Sequence, residues 1–288
     1  MKDLHKKILA SSGDYLYNLV CYYYLHLKKG YFPKRPDFAK PKTFNEKIIH
    51  LKNYCKHPNA QLYTDKFLVR NFVSSAIGSQ YLIPLIGVYK KASEIDFSAL
   101  PEKFVLKANH GSGWNIICKD KSKLNIPNTI KLLNKWLGIN YYDMGRDYTY
   151  KTIEPKIVAE ILMETKNGGD LKDYKIFCFN GEPIYIQVDV DRSTNHTRAF
   201  FDLKWNRMPF TTLYPFFEGS IDPPECLEEM IQVARKLSMG FIFLRVDLYE
   251  VNGKVYFGEM TFHHGGGFEP FIPAEYDAIL GNYLHIKC

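Results

Sequence analysis

The sequence predicts an α+β fold in which helices lead and antiparallel hairpins follow. Three observations carry this. Residues 1–60 read as helical around a proline-rich break at Pro33, Pro36 and Pro41. Two runs of alternating apolar and polar residues are punctuated by Asn180-Gly181 and Asn252-Gly253, and Asn-Gly suits a tight hairpin turn. No Gly-x-Gly-x-x-Gly follows a strand, so a parallel dinucleotide-binding sheet is not supported.

Each element has a local cause. Thr43 is an N-cap and Glu46, three residues on, completes a capping box. Residues 61–78 suggest another helix. Phe104 to Lys107 is a short strand candidate that runs into a Gly-Ser-Gly turn. Residues 128–138 read as a helix and Ile157 to Met163 as a strand. Asp173 to Asp189 and Phe241 to Thr261 are the two hairpins, and residues 223–238 between them form an amphipathic helix.

The chain has 288 residues, enough for one composite domain or two small ones. Its 38 Lys and Arg against 31 Asp and Glu leave a net charge of +7, which suits an anionic partner. A nucleotide, an acidic glycan and an anionic membrane surface all qualify. Nucleic acid is the weakest of the set, because no basic block or zinc-finger spacing occurs. Six cysteines without a Cys-x-x-Cys pair read as reduced thiols of a cytoplasmic protein. No signal peptide is visible. The apolar stretch Tyr15 to Leu27 falls short of the about 20 residues a span takes. It reads as a core helix, or as one lying against a membrane or a partner.

The most informative segment is the second hairpin. Strand side chains alternate faces, so Leu244, Val246 and Leu248 share the apolar face while Arg245 and Asp247 share the other. On the return strand Glu259 and Thr261 share a face. A two-residue Asn252-Gly253 loop puts Asp247 and Glu259 on opposite faces. A three-residue loop, with Gly253 left-handed in a bulge, puts them together. A joint function therefore requires the odd loop. Two carboxylates beside an arginine would suit Mg²⁺ and phosphate; the bland alternative is a solvated ion pair.

Upstream, Lys107 precedes Gly111-Ser112-Gly113, a turn whose amides could cradle phosphate. Lys66 follows Asp65 on a helix. Glu160 sits inside an apolar strand and needs a partner there, such as an adenine amino group or a core lysine. Asp173 and Lys175 share a strand face, where they could touch ribose and phosphate or pair locally. His263 and His264 open the glycine loop that follows the carboxylate strand. They and Arg192 are candidates for substrate contact; a zinc site there lacks a third ligand.

Taken in this order, Asp65-Lys66, Phe104 to Gly113, Asp173-Tyr174-Lys175, Phe179-Asn180-Gly181, Arg245 to Tyr249 and Phe257 to Phe262 resemble the ATP-grasp superfamily. The closest likeness is to the TupA-like family of teichuronopeptide biosynthesis, found with genes for bacterial surface polysaccharides. The likeness runs from Pro41 to about Leu284. It implies an ATP-grasp fold, two α+β subdomains clasping ATP, at residues 61–160 and 161–288 behind the helical 1–60. It implies that Lys66 and Lys107 contact ATP phosphates under the Gly111 to Gly113 loop. Glu160, Ile161 and Leu162 would hold adenine, and Asp173 and Lys175 would lie near ribose and phosphate. Arg245 would steady the reacting acyl phosphate, and Asp247 and Glu259 would bind Mg²⁺. Thr261 stands where many such ligases have asparagine, so one metal is better founded than two.

The activity so implied is an ADP-forming carboxylate–amine ligase working through an acyl phosphate. Its product would be an amide between an amino acid or simple amine and a uronic acid carboxyl of a surface or capsule polysaccharide, or of its sugar-nucleotide precursor. The alternatives are a glycosyltransferase of the same biosynthesis, a peptide ligase acting on a small-molecule carboxylate, or an idle scaffold. The location that follows is cytoplasmic, at the inner face of the membrane.

Overall fold

The computed structural model describes residues 13–165, 171–191 and 195–287. The expected order holds: helices first, then a mixed stretch, then antiparallel hairpins. Helices α1 (Asp14–Lys28), α2 (Phe44–Tyr54), α3 (Ala60–Thr64) and α4 (Val69–Ala76) lead. The capping box of α2 forms as read, with Glu46 N–H donating to Thr43 Oγ1 at 3.3 Å and Thr43 N–H to Glu46 Oε2 at 3.1 Å. The single helix expected at 61–78 is two, because Asp65 breaks it. Its Oδ1 accepts from the amides of Phe67 and Leu68 and restarts the chain as α4.

A first antiparallel sheet contains β1 (Leu85–Tyr89), β2 (Phe104–Ala108), β3 (Asn115–Cys118) and β4 (Ile157–Ile161), in the order β1-β4-β2-β3. One face packs Phe104, Leu106, Ile157 and Ala159 against Leu133 and Trp136 of α5 (Ile126–Leu137). A short α6 (Tyr142–Gly145) follows α5.

The second sheet has five antiparallel strands in the order β10-β9-β5-β6-β7: β5 (Asp173–Phe179), β6 (Glu182–Val190), β7 (Thr197–Asp202), β9 (Phe243–Glu250) and β10 (Val255–Thr261). A two-stranded ribbon pairs β8 (Thr211–Thr212) with β11 (Phe271–Ile272), and α8 (Glu275–Tyr283) ends the chain.

The two faces of this sheet part company by residue parity. Ile176, Ile186, Val188, Leu244, Val246 and Leu248 face a core closed by Met230, Val233, Ala234 and Leu237 of α7 (Leu227–Ser238). On the opposite face Phe177, Phe179, Phe200 and Phe243 pack under Phe44 and Ile48 of α2 and Leu280 of α8. The remainder of that face carries Asp173, Lys175, Gln187, Asp189, Arg198, Arg245 and Asp247, all buried. A single face is thus apolar where α2 and α8 cover it and charged over the remainder.

Cys21, Cys118, Cys178 and Cys226 are free thiols, as expected; Cys55 is disulfide-bonded, which corrects the expectation of reduced thiols throughout. Among the described residues no helix is long and apolar enough to cross a membrane.

Candidate active site

The carboxylate hairpin reaches the required arrangement by a different route from the one the sequence suggested. Its turn is the two-residue loop. Asn252 and Gly253 both take positive φ, and Val251 N–H donates to Lys254 O at 2.9 Å. Near the turn Glu250 faces Val255 and Leu248 faces Phe257, a register that would leave Asp247 and Glu259 on opposite faces. Gly258 is inserted after Phe257. Past it Asp247 faces Glu259 and Arg245 faces Thr261. The core shows the same switch, since Val255 and Phe257 point inward before Gly258 and Met260 after it. A Cβ at Gly258 would lie 2.9 Å from the Tyr249 ring and 3.0 Å from the Asp247 carbonyl oxygen, so glycine is needed there.

The two carboxylates do not stand bare. Arg245 Nε donates to Asp247 Oδ1 at 2.6 Å, and Nη2 donates to Asp247 Oδ2 at 2.7 Å and to Glu259 Oε1 at 3.1 Å. Lys175 Nζ donates to Asp247 Oδ2 at 2.8 Å and also to Asp173. Burial pushes the Asp247 carboxyl up, but Arg245 and Lys175 outweigh it and hold it below the usual carboxylate range. Burial likewise disfavours the Lys175 ammonium, and Asp173 and Asp247 more than restore it. Asp247 is therefore a paired, buried group, whereas the Glu259 side chain keeps 30% of its surface exposed. Thr261 Oγ1 lies 3.4 Å from Glu259 Oε1, on the face the sequence assigned it.

The first sheet supplies the opposite wall. Lys66 Nζ donates to the Gly111 carbonyl and lies 4.0 Å from Glu259 Oε2. Burial lowers its pKa, with Glu259 opposing. Three donors meet one carbonyl and a loosely placed carboxylate, so Lys66 has capacity left for an anion. Its position is fixed by residues whose importance the sequence did not reveal. Asn109 Nδ2 donates to Asp65 Oδ2 at 2.8 Å, Asn109 Oδ1 accepts from Lys156 N–H at 2.7 Å, and Lys66 N–H donates to Asn109 O at 3.2 Å. This lock ties the break before α4 to the end of β2 and carries Gly111 with it; Ser112 and Gly113 are exposed at the turn.

Glu160 takes the second of its two expected partners. Lys107 Nζ donates to Oε2 at 2.7 Å and Arg70 Nη1 to Oε1 at 3.0 Å. Its carboxylate is thus not open to an adenine amino group in this state. Ile161 and Leu162 follow, half-buried, and Ile161 N–H is bonded to Pro84 O at 3.1 Å. Arg70 is an addition to the predicted set. It lies four residues after Lys66 in the helix expected over 61–78, but in the structure Lys66 precedes α4, so that spacing is not what brings the two together. Lys66, Arg70, Leu82, Lys107, Glu160, Phe257 and Gly258 line one narrow cleft, and an isolated β-bridge pairs Leu82, just before β1, with Phe257 of β10.

On the far side of Arg245 the polar network continues. Arg245 Nη1 lies 2.9 Å from His264 Nδ1, and His264 Nε2 lies 3.3 Å from Glu269 Oε2. A guanidinium only donates, so Nδ1 accepts and the ring proton sits on Nε2, which is near Glu269 without an aligned hydrogen bond. Burial keeps this ring below its ordinary pKa despite Glu269. Glu269 in turn accepts from Arg198 at 2.7 Å, and Arg198 Nε donates to Asp189 at 2.6 Å. The neighbouring His263 is buried against Asp147, Nδ1 to Oδ1 at 2.9 Å. Neither histidine is a free group on a loop. The glycine turn is not a free flap either. Lys52 Nζ of α2 donates to Gly266 O at 3.1 Å, Asn45 Nδ2 to Glu269 O at 2.8 Å, and a Cβ on Gly267 would meet Ile49 Cγ1 at 2.6 Å. Arg192, the third substrate candidate, lies outside the described residues.

Mg²⁺ prefers hard oxygens and retains positions for water and phosphate. Glu259, half-open with Thr261 beside it, supplies that chemistry; Asp247 faces it across the strands, but both its oxygens are taken by Arg245 and Lys175 in this state. Among the described residues no group of three or more His, Cys, Asp or Glu forms an all-protein metal cage. The donor set fits an ion shared with a phosphate.

The D-alanine–D-alanine ligase of Bacillus anthracis with ATP is similar in structure, with a TM-score of 0.41 and 15% identity over 70% of this chain and 54% of that one. Phosphoribosylamine–glycine ligase of Thermotoga maritima gives a TM-score of 0.43 and 15% identity over 70% and 48%. The ATP-grasp ligase PsnB, complexed with a phosphomimetic precursor variant, Mg and ADP, gives 0.43 and 12% over 79% and 59%. The chain thus spans about half to three-fifths of the length of these structures. No curated protein matches. The TupA-like ATPgrasp family matches residues 46–285, which contain both sheets and every charged group of the cleft, and the chain belongs to that family.

Proposed function

We propose that this chain is an ATP- and Mg²⁺-dependent carboxylate–amine ligase that releases ADP and phosphate. One observation carries the reading: Lys66 joins the glycine turn of the first sheet to Glu259 of the second. The residues expected to hold phosphate and those expected to hold metal thereby meet in one cleft. Five cations (Lys66, Arg70, Lys107, Lys175, Arg245) lie among five carboxylates (Asp65, Glu160, Asp173, Asp247, Glu259), so the charges balance before a polyphosphate and its Mg²⁺ enter.

In this mechanism Lys66 and Lys107 bind the phosphates, and Glu259 with Asp247 would hold Mg²⁺. When bound, the ion would neutralise charge on the transferred phosphoryl group. Lys175 keeps Asp247 ionised. Arg245 is fixed at both ends, by Asp247 and by neutral His264, with Nη2 on Glu259. A fixed guanidinium suits the acyl phosphate formed when a substrate carboxylate attacks the γ-phosphate, and the oxyanion formed when an amine attacks that acyl phosphate. No side-chain nucleophile is required.

For the acceptor, the chain's net basic charge and the family favour an acidic sugar: a uronic acid carboxyl of a surface glycan or its precursor, joined to an amino acid or simple amine. Asp189-Val190-Asp191 has the Asp-x-Asp spacing a metal-dependent glycosyltransferase would use, but Asp189 is already taken by Arg198 and Gln187. The test is an incubation with ATP, Mg²⁺ and panels of uronates and amines. ADP and phosphate formed only when both substrates are present support the reading; AMP and pyrophosphate overturn it.

A further inference from the structure

Helix α1 is turned inside out. Its buried positions are Asn18, Tyr22 and His26; Tyr22 and Leu19 pack on Phe38 and Ile49, and polar contacts supply the rest of its seat on the body. Asn18 Nδ2 donates to Asn53 Oδ1 at 2.8 Å, Tyr17 OH to Met144 O at 2.7 Å, and Tyr142 OH to Asp14 at 2.7 Å. The outward face is apolar. Leu16 is 52% exposed, Val20 39%, Tyr24 63% and Leu27 49%. These four recur at steps of four, four and three residues and so form one stripe along the helix. Fifteen residues make it roughly 22 Å long. Beyond the helix Phe32 is 89% exposed. Such a face costs solubility unless something covers it.

The charge around the stripe indicates what does. From Tyr15 to Pro36 the chain has no acidic residue, and Lys28, Lys29, Lys34 and Arg35 are all exposed at the stripe's C-terminal end. Lys28 Nζ lies 5.9 Å from the Tyr24 ring, a lysine lying along an aromatic with its charge outward. Arg146 at the neighbouring helix end is spent within the fold, stacked on Tyr17 and Tyr142 and 3.9 Å from Asp14. We propose that α1 and the following segment to Arg35 form a membrane-docking surface: the apolar stripe and Phe32 enter the interface of an anionic bilayer, and the four basic residues meet its phosphates. A protein partner fits less well. Protein interfaces are depleted in lysine, whereas helices lying in a bilayer interface pair aromatic and leucine faces with Lys and Arg. The helix is too short to span, so it would lie in the plane.

The test is co-sedimentation of the full chain with vesicles of phosphatidylcholine, with and without an equal part of phosphatidylglycerol. The wild type should sediment with the anionic vesicles only. K28Q/K29Q should weaken binding about thirtyfold, since each basic residue near an anionic surface is worth about one step of five- to sixfold. V20E/L27E should abolish it. Both pairs are exposed, so the melting temperature should hold and report intact folding. Unchanged binding by V20E/L27E, or no binding by the wild type, overturns the proposal. So does a dimer that V20E/L27E dissociates, because the stripe would then be a contact between copies.

Discussion

Asp247 and Glu259 carry the same charge on adjacent strands, yet they call for different experiments. Asp247 is 1% exposed and accepts from both Arg245 and Lys175. Asp247→Asn leaves two buried cations facing an amide and should cost about 3 kcal/mol of stability as well as activity. The sequence shows a polar strand face there but not that Arg245 and Lys175 enclose the carboxylate. Glu259→Gln is the cleaner probe. Its half-open side chain can still accept from Arg245, so denaturant midpoints should move by under about 1 kcal/mol while Mg²⁺-dependent nucleotide binding falls. Lys107→Ala leaves Glu160 paired with Arg70, so the fold should hold. ATP affinity should drop about 10- to 100-fold, the worth of one charged hydrogen bond; unchanged affinity in calorimetry would remove Lys107 from the site. Arg70, Asp65 and Asn109 were legible only in part. Their roles depend on partners far away in sequence, and no local pattern encodes those.

Among the elements, the hairpins show what sequence can and cannot specify. Asn180-Gly181 and Asn252-Gly253 mark their turns correctly because positive φ is a local demand. The bulge at Gly258 has no such signature; its glycine is needed for a close approach to Tyr249 and Asp247, which only the folded strands create. The prediction at this scale is Gly258→Ala. It should cost about 1–3 kcal/mol through overpacking, and it should weaken Mg²⁺–ATP binding more than Lys107→Ala does, because the register of Glu259 depends on it. If binding survives, as read by calorimetry, the bulge does not set the site. The glycine turn after β10 makes the same point. Its composition suggests a flap, but Lys52, Asn45 and Ile49 of α2 hold it down, so the helical N-terminal region is a wall of the site.

For the molecule as a whole, charge burial sets a pH dependence. Burial raises the carboxyls of Asp147, Asp189 and Glu269, but His263 and the Arg198 guanidinium more than offset it, and all three lie below their usual range, Asp189 at about 2. A carboxyl with a depressed folded pKa binds its proton less tightly folded than unfolded. Its contribution is complete above about pH 4 and disappears as pH falls toward the folded value. Asp189→Asn should therefore cost about 2–3 kcal/mol at neutral pH, with the gap to wild type closing as pH approaches 2 in denaturant titrations. A gap that stays constant would mean the pair with Arg198 is not what stabilises Asp189. Asp277 runs the other way: burial raises its carboxyl to about 6, so its effect favours the fold below pH 4 and fades as pH rises through 6.

Lys66 links the glycine turn of the first sheet to Glu259 of the second, and the central claim is that Mg²⁺–nucleotide lies there. A crystal structure of the chain with ADP and Mg²⁺ tests this most directly. The account predicts the phosphates against Lys66, Lys107 and the Gly111 to Gly113 turn, and the ion on Glu259 and Asp247. Nucleotide bound elsewhere, or an ion held by neither carboxylate, would contradict it.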